Sequence, residues 1–281
     1  FPSYPLINEF EVKRVQSKPS SSGGFGDCWE GVFLGQQRVA MKCLRGHGDE
    51  DSMKKKLDRE VRVWKNLRHP HILQFIGLGI LGSTTYMLSP WMDNGNVLEY
   101  LSKNTSEDRL RLLLHVALGI QYLHNFDPIV VHGDLKGSNI FVSSSGDAVI
   151  ADFGLSEMIL AGAEQSNSTT FYTAGSRRWQ APELIQAETK AQAQRTTASD
   201  IFAFGRVMAE LYTLQVPFAE VQNEAELIKK ITARELPRRP KDSSVVARGF
   251  DDHLWALIKD CCRYEPGRRP SANVVVARLQ G

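Results

Sequence analysis

The chain has 281 residues, 42% of them apolar, and a formal net charge of +2. That length and apolar content suit one large fold or two lobes and exclude global disorder. The near-balanced charge excludes a large nucleic-acid footprint, though not a local one. Residues 10–44 are short alternating runs (FEVKRV, DCWEGVFLG, QRVAMKCL) broken by SSSGG and GQQ, the pattern of an antiparallel meander. Residues 51–67 carry Leu57, Val61 and Trp64 at helical spacing, which predicts an amphipathic helix whose N-terminus suits Asp49 to Asp51 and Ser52. Strands are predicted over 72–79 and 84–90.

After DNGN the character changes. A long helix is predicted over 107–125, with Leu110, Leu113, Leu114, Ala117 and Leu118 inward and Glu107 and Asp108 at its positive end. Short strands are predicted at 129–132, 139–142 and 147–150. Residues 155–180 read as a long loop rich in Ser, Thr and Gly, a kind of loop that is usually functional. ETKAQAQR (188–195) reads as a solvated connection, and helices follow at about 199–213, 223–233, 252–262 and 271–280. Strands first and helices afterwards predict two lobes, one mostly β and one mostly α.

Cys28, Cys43, Cys261 and Cys262 show no metal-ligand spacing, and the adjacent pair is poorly placed to bridge, so reduced thiols in an intracellular protein are expected. No apolar run approaches a membrane span. Because the chain begins at Phe1 rather than Met, it is expected to be a fragment, and a missing signal peptide says little about its parent.

Six segments can carry chemistry. SSSGGFGDCWEG (20–31) can bring backbone N–H groups close to phosphate, or be a plain hairpin. VAMK (39–42) puts Lys42 on a strand, and Glu60 sits in a helix where it can face that lysine; a surface lysine and an exposed glutamate are the plainer readings. HGDLKGSN (132–139) gathers a carboxylate, a cation and an amide. Asp134 can orient a hydroxyl and take its proton, Lys136 can neutralise a transferring phosphoryl group, and Asn139 can hold a divalent ion. ADFG (151–154) ends a strand in an aspartate suited to a metal that bridges phosphates, or to a solvated turn. APE (181–183) closes the Ser/Thr-rich loop, with Pro182 at an early helical position.

In this order and spacing the segments resemble the motif set of protein kinases. The chain is similar to a protein-kinase catalytic domain from about residue 10 to 280. The resemblance implies an α+β, bilobal, protein-kinase-like fold as one domain over 1–281: a small, mostly antiparallel β N-lobe with one helix (about 10–91), a hinge (about 90–95) and a larger, mostly α C-lobe (about 96–281). HPHILQFIG (69–77), GSRRWQAPE (175–183) and SDIFAFG (199–205) further resemble the tyrosine-kinase-like branch of serine/threonine kinases.

The resemblance also implies roles. Lys42 would contact the α/β-phosphates of ATP, the co-substrate, and pair with Glu60. Asp134 would be the catalytic base, with Lys136 on the γ-phosphate and Asn139 and Asp152 holding Mg2+ (or Mn2+). Ser21, Gly23, Gly24 and Gly26 would form the phosphate loop. Ala40, Cys28 and Phe141 would sandwich adenine, Pro90 C=O and Met92 N–H would bond it, and Ser89 would gate the space behind it. Glu183 would brace the substrate-side loop on Arg269, and Asp200 would anchor the catalytic loop. The lysine in DLKGSN points to Ser/Thr acceptors. Expected partners are protein substrates and ATP, with no nucleic acid and no membrane, for a monomeric fragment in the cytoplasm.

Two departures stand out. Ser21 replaces the first loop glycine and Cys28 the usual valine, which implies weaker nucleotide affinity rather than its loss. Gly133 stands where many relatives carry an arginine that is quieted by a phosphate on the activation segment. This non-RD pattern (HGD) implies activity that does not require phosphate at Ser166, Ser168, Thr169, Thr170, Tyr172 or Thr173, although phosphates can still occur there. Three alternatives stay open. Small-molecule phosphotransferases share HGD but usually place histidine at the position of Lys136. A pseudokinase, an ATP-binding scaffold, usually lacks one of Lys42, Asp134 and Asp152. Dual Ser/Thr/Tyr specificity is the third.

Overall fold

Alternating apolar and polar side chains suit strands with one buried face, and between residues 5 and 90 they build a seven-stranded sheet. The structure, a computed structural model, describes residues 5–23, 26–44, 50–159 and 174–281. Gly24, Asp49 and the six candidate phosphosites Ser166, Ser168, Thr169, Thr170, Tyr172 and Thr173 lie outside the described residues. Contacts divide the chain into two units, Phe1–Asp93 and Asn94–Gly281.

In the first unit the strands are β1 (Leu6–Ile7), β2 (Val12–Arg14), β3 (Ser21–Gly23), β4 (Gly26–Phe33), β5 (Gln37–Cys43), β6 (Gly77–Leu81) and β7 (Thr84–Pro90), with helix α1 (Glu50–Trp64) between β5 and β6. The order is β1-β6-β7-β5-β4-β2, with β3 on β4. All pairs are antiparallel except β1 with β6, an added parallel edge that the sequence pattern did not reveal. Ile7, Val12, Val39, Met41, Tyr86 and Leu88 form a core cluster on one sheet face. The strand expected over 72–79 begins only at Gly77. Ile72, Leu73 and Phe75 are buried outside the named strands, with Ile72 in a single bridge, so the apolar run reflects burial more than pairing.

In the second unit the helices are α2 (Val97–Lys103), α3 (Arg109–His124), α4 (Pro182–Ile185), α5 (Thr197–Thr213), α6 (Glu224–Thr232), α7 (Ser243–Ala247), α8 (Asp252–Cys261) and α9 (Ala272–Gln280). Side-chain caps set most of their starts. Asn96 accepts from the N–H groups of Leu98 and Glu99, Asp108 from those of Leu110 and Arg111, and Thr196 and Ser199 form a capping box, each cap worth about 1 kcal/mol. The short α2 and α7 were not anticipated. The face expected for α3 is corrected in part: Leu113 and Ala117 are buried as expected, but Leu114 and Leu118 are only half-buried. Leu110 is 43% exposed, and Leu112, Leu113, Val116, Ala117, Ile120 and Leu123 are the buried stripe. Leucines at 110, 112, 113 and 114 point all round the helix, and only Ile120 and Leu123 fix its phase.

Two small hairpin-like pairs complete this unit. β9 (Ile140–Val142) pairs with β10 (Ala148–Ile150), and β8 (Val130–Val131) pairs with β11 (Glu157–Met158), all antiparallel. β11 falls inside the stretch expected to be all loop, which corrects that reading. The stretch 188–195 is solvated over 188–192, as expected, and is corrected only at its end. Ala193 and Arg195 are buried rather than solvated, and Arg195 is only 1% exposed. α5 runs through the middle of the unit, burying Asp200, Arg206 and Glu210 among its apolar residues. No helix among the described residues is long and apolar enough to cross a membrane.

Candidate active site

In the first unit, register puts Cys28 opposite Lys42 and Ala40 opposite Ser89. With strand alternation, these four share the sheet face opposite the apolar cluster. Lys42 donates to Glu60 Oε1 of α1 at 2.8 Å, and the glutamate is 1% exposed. A carboxylate buried this far is retained only with a cation beside it, so the pairing expected from sequence is present. Ser89 is buried. Burial pushes the Cys28 thiol up, against the lowering pull of Lys42. Ser21 pairs with Cys28 and Gly23 with Gly26 across the β3–β4 hairpin. A Cβ on Gly26 would lie 2.4 Å from Cys43 O, so close approach of the next strand already demands this glycine. Pro90 ends β7, and Met92 follows it.

In the second unit, Asp200 organises the loop that carries Asp134. Its Oδ2 accepts from His132 N–H (2.8 Å) and stands 3.0 Å from His124 Nε2, and its Oδ1 accepts from Gly133 N–H (2.9 Å). Burial works to raise the Asp200 carboxyl. The hydrogen bond and charge of His124 and the Gly133 N–H outweigh it and hold the group below the usual carboxylate range. His132 Nδ1 accepts the Asp134 N–H at 3.2 Å, so its Nε2 carries the proton donated to Ala151 O at 3.0 Å. The Phe153 ring meets His132 edge-on, 5.3 Å between centroids.

Asp134 itself is nearly buried, and three donors orient its carboxylate. Lys136 Nζ donates to Oδ2 at 2.8 Å, Asn139 Nδ2 to the same oxygen at 3.2 Å, and Ser176 N–H to Oδ1 at 3.0 Å. Asn139 Nδ2 also reaches Asp134 O (2.9 Å), and Lys136 also donates to Ser176 Oγ (2.8 Å). A carboxylate has about four acceptor directions. Among the described residues three are filled, which leaves one open. Ser176 was quoted in the sequence only as part of GSRRWQAPE. A backbone N–H has no sequence signature, so its role on Asp134 was missed.

Two residues fit a hard cation. Asn139 ends a 3-10 turn, Gly137–Asn139, and its amide nitrogen is the end turned to Asp134, so the oxygen is the end left to offer a metal. Asp152 has φ +67, a left-handed backbone that a non-glycine residue holds only when its surroundings enforce it. Two hard oxygen donors are few for a dedicated cage. They would suit a divalent cation that takes its other oxygens from outside the protein.

The brace expected between Glu183 and Arg269 is present and bidentate, both contacts 2.7 Å, with the Arg269 side chain fully buried. Phe141 lies in β9 of the second unit. Glu210 is a further residue that the sequence reading missed. Its Oε2 accepts from Gly137 N–H at 2.8 Å and from Trp179 Nε1 at 2.9 Å, tying the Asp134 loop to the Trp179 segment. Burial pushes its carboxyl up to about 7, against Gly137, Trp179 and the charge of Lys136. A lone glutamate in the apolar run FAFGRVMAELY was the signal available.

A family model described as protein kinase domain matches residues 20–278. The chain is 32% identical over 287 residues to a probable serine/threonine-protein kinase of Dictyostelium discoideum, covering 99% of this chain and 16% of that protein. It is 28% identical over 262 residues to "Probable serine/threonine-protein kinase drkA" of the same organism (92% and 38%). It is 29% identical over 269 residues to "Serine/threonine-protein kinase CTR1" of Arabidopsis thaliana (92% and 30%). The chain therefore spans between 16% and 38% of the length of these relatives.

Proposed function

This chain belongs to the protein kinase domain family, and on that premise we propose that it transfers the γ-phosphoryl group of Mg·ATP to serine and threonine hydroxyls of proteins. The observation that carries the reading is the Asp134 carboxylate, held by three donors with one acceptor direction left. An acceptor hydroxyl donates its hydrogen bond there, its oxygen attacks the γ-phosphorus, the bond to the β-phosphate oxygen breaks, and the proton passes to Asp134. Lys136 neutralises charge on the transferring group, and Lys42, held by Glu60, takes the α/β-phosphates. Magnesium held by Asn139 and Asp152 would supply charge neutralisation on the phosphates. Positioning and charge are what this reaction needs from a protein. The names of the relatives and the lysine in DLKGSN favour Ser/Thr acceptors. The segments HPHILQFIG, GSRRWQAPE and SDIFAFG favour the tyrosine-kinase-like branch.

The finer assignments belong to the same proposal. Residues 1–281 form one kinase domain, with the division between compact units falling after Asp93. Adenine is bonded by Pro90 C=O and Met92 N–H and flanked by Cys28, Ala40 and Phe141. The phosphate loop is Ser21, Gly23, Gly24 and Gly26. Four free thiols support a reducing, cytoplasmic setting, and the chain acts as a monomer on polypeptides. The test is transfer of labelled phosphate from ATP to generic protein substrates, with Asp152→Asn as control. Label in phosphoserine and phosphothreonine that vanishes in the control supports the reading. No transfer, with Mg·ATP still bound, would make the chain a scaffold.

Ser89 is small and buried on the face it shares with Lys42, so the space it gates should admit bulky N6-substituted ATP analogues. The wild type is expected to use them, and Ser89→Met to lose them while keeping ATP; rejection of every analogue by the wild type contradicts the role given to Ser89. Activity is also expected not to depend on the six candidate phosphosites, because Gly133 brings no cation that needs a phosphate. A variant with all six made Ala or Phe should transfer phosphate at about the wild-type rate, and a collapse of that rate refutes independence.

A further inference from the structure

Gly133 and Arg195 compete for one space. Gly133 has φ +82, and a Cβ built on it would lie 2.4 Å from Arg195 Cδ and 2.7 Å from Leu155 O. Backbone conformation and packing thus both keep a side chain off the residue before Asp134, and the stem of Arg195 fills the room. Arg195 lies just before the Thr196 cap of α5 and is 1% exposed. Its Nη2 donates to Ala174 O at 2.8 Å, and Gln180 Nε2 donates to the same oxygen at 2.9 Å. Two residues later Ser176 gives its N–H to Asp134 Oδ1 and takes Lys136 on its hydroxyl. Between them Gly175 has φ +115, and a Cβ there would lie 2.8 Å from Gln180 Nε2, so this short link has little freedom.

We infer that Arg195 is a positioning residue that fixes the Ala174–Ser176 link against Asp134 from within the fold, without a phosphate. The sequence explains why the cation comes from this side. Position 133 carries none, yet the link still needs a long, buried, charged donor that can reach a carbonyl oxygen, and a guanidinium is the donor least weakened by leaving water. Arg195 touches no substrate; it acts through Ser176 on the carboxylate. The inference rests on Asp134 being the base.

The test uses the whole chain after phosphatase treatment, with Arg195→Met, which keeps the apolar stem, and Arg195→Lys, which keeps a charged donor. Expected for Arg195→Met is a kcat for protein substrate lower by about 10- to 100-fold, because a small misplacement of the catalytic group is enough for that. The KM for Mg·ATP should stay within about twofold, and backbone amides of 175–177 should exchange at least about tenfold faster while those of α5 do not change. Arg195→Lys should recover most of both. If Arg195→Met does not melt cooperatively, Arg195→Gln takes its place with the same expectations. Unchanged exchange at 175–177 and unchanged kcat in a folded neutral variant overturn the inference. So does a loss spread evenly over kcat, KM and melting temperature, which marks a merely structural arginine. Amide exchange needs no activity, so a wild type that transfers no phosphate refutes the kinase reading and still leaves the role of Arg195 decided.

Discussion

An Asp134→Asn chain is expected to lose phosphoryl transfer by about 10²- to 10⁴-fold, the range that a general base contributes. Two effects act together. The amide cannot take the proton of the acceptor hydroxyl. It also cannot keep its place, because the native carboxylate faces donors on both sides: Ser176 N–H at one oxygen, Lys136 and Asn139 at the other. Whichever way the amide turns, its NH2 group meets a donor. Mg·ATP affinity should fall far less than transfer does, because Lys42, Pro90 and Met92 belong to the other unit and, of the residues proposed to hold Mg·ATP, only Lys136 and Asn139 touch the replaced carboxylate. Label transfer at saturating Mg·ATP, with calorimetry for binding, makes the measurement. A variant that keeps a tenth or more of the wild-type rate would remove Asp134 from the role of base.

What could be read from the sequence divides along physical lines. Lys42, Glu60, Asp134, Asn139, Asp152, Glu183 and Arg269 could be singled out because the order and spacing of their motifs resemble the protein-kinase set, which picks out one copy of each residue type. The structure places the Lys42–Glu60 and Glu183–Arg269 pairs in direct contact and sets Lys136 and Asn139 on the Asp134 carboxylate. Whatever works through the backbone was not legible. Ser176 acts through its N–H, Arg195 through a carbonyl 21 residues earlier, and neither bond leaves a pattern in residue types. Arg195 was also hidden by composition. ETKAQAQR is polar apart from two alanines, and an arginine in such a run is ordinarily exposed. In α3 an excess of leucine erased the phase of the helix, and in β11 two residues were too few to show alternation.

The other large effect concerns stability. Asp200→Ala leaves two buried backbone N–H groups, those of His132 and Gly133, and the His124 ring without the carboxylate. Orphaned buried donors cost about 1–3 kcal/mol each, and losing one side of a buried charged network costs about 3–5 kcal/mol. For a chain of this size that lowers the melting temperature by roughly 5–9 °C. Asp200→Asn should recover little, because its backbone donors approach both carboxylate oxygens and an amide offers only one acceptor end. The pH dependence has a definite sign. The Asp200 carboxyl is held below its ordinary value of 3.8, so the folded state binds that proton less readily than the unfolded state. The stabilisation is then fully present above 3.8 and is lost as pH falls below it. Thermal melts of wild type and Asp200→Ala should therefore differ most near neutral pH and converge in acid. A gap that stays constant into acid would mean the carboxylate charge contributes nothing and that only its shape holds the Asp134 loop. A gap below about 1 kcal/mol at neutral pH would mean the loop finds other acceptors, and the anchoring role would fall with it.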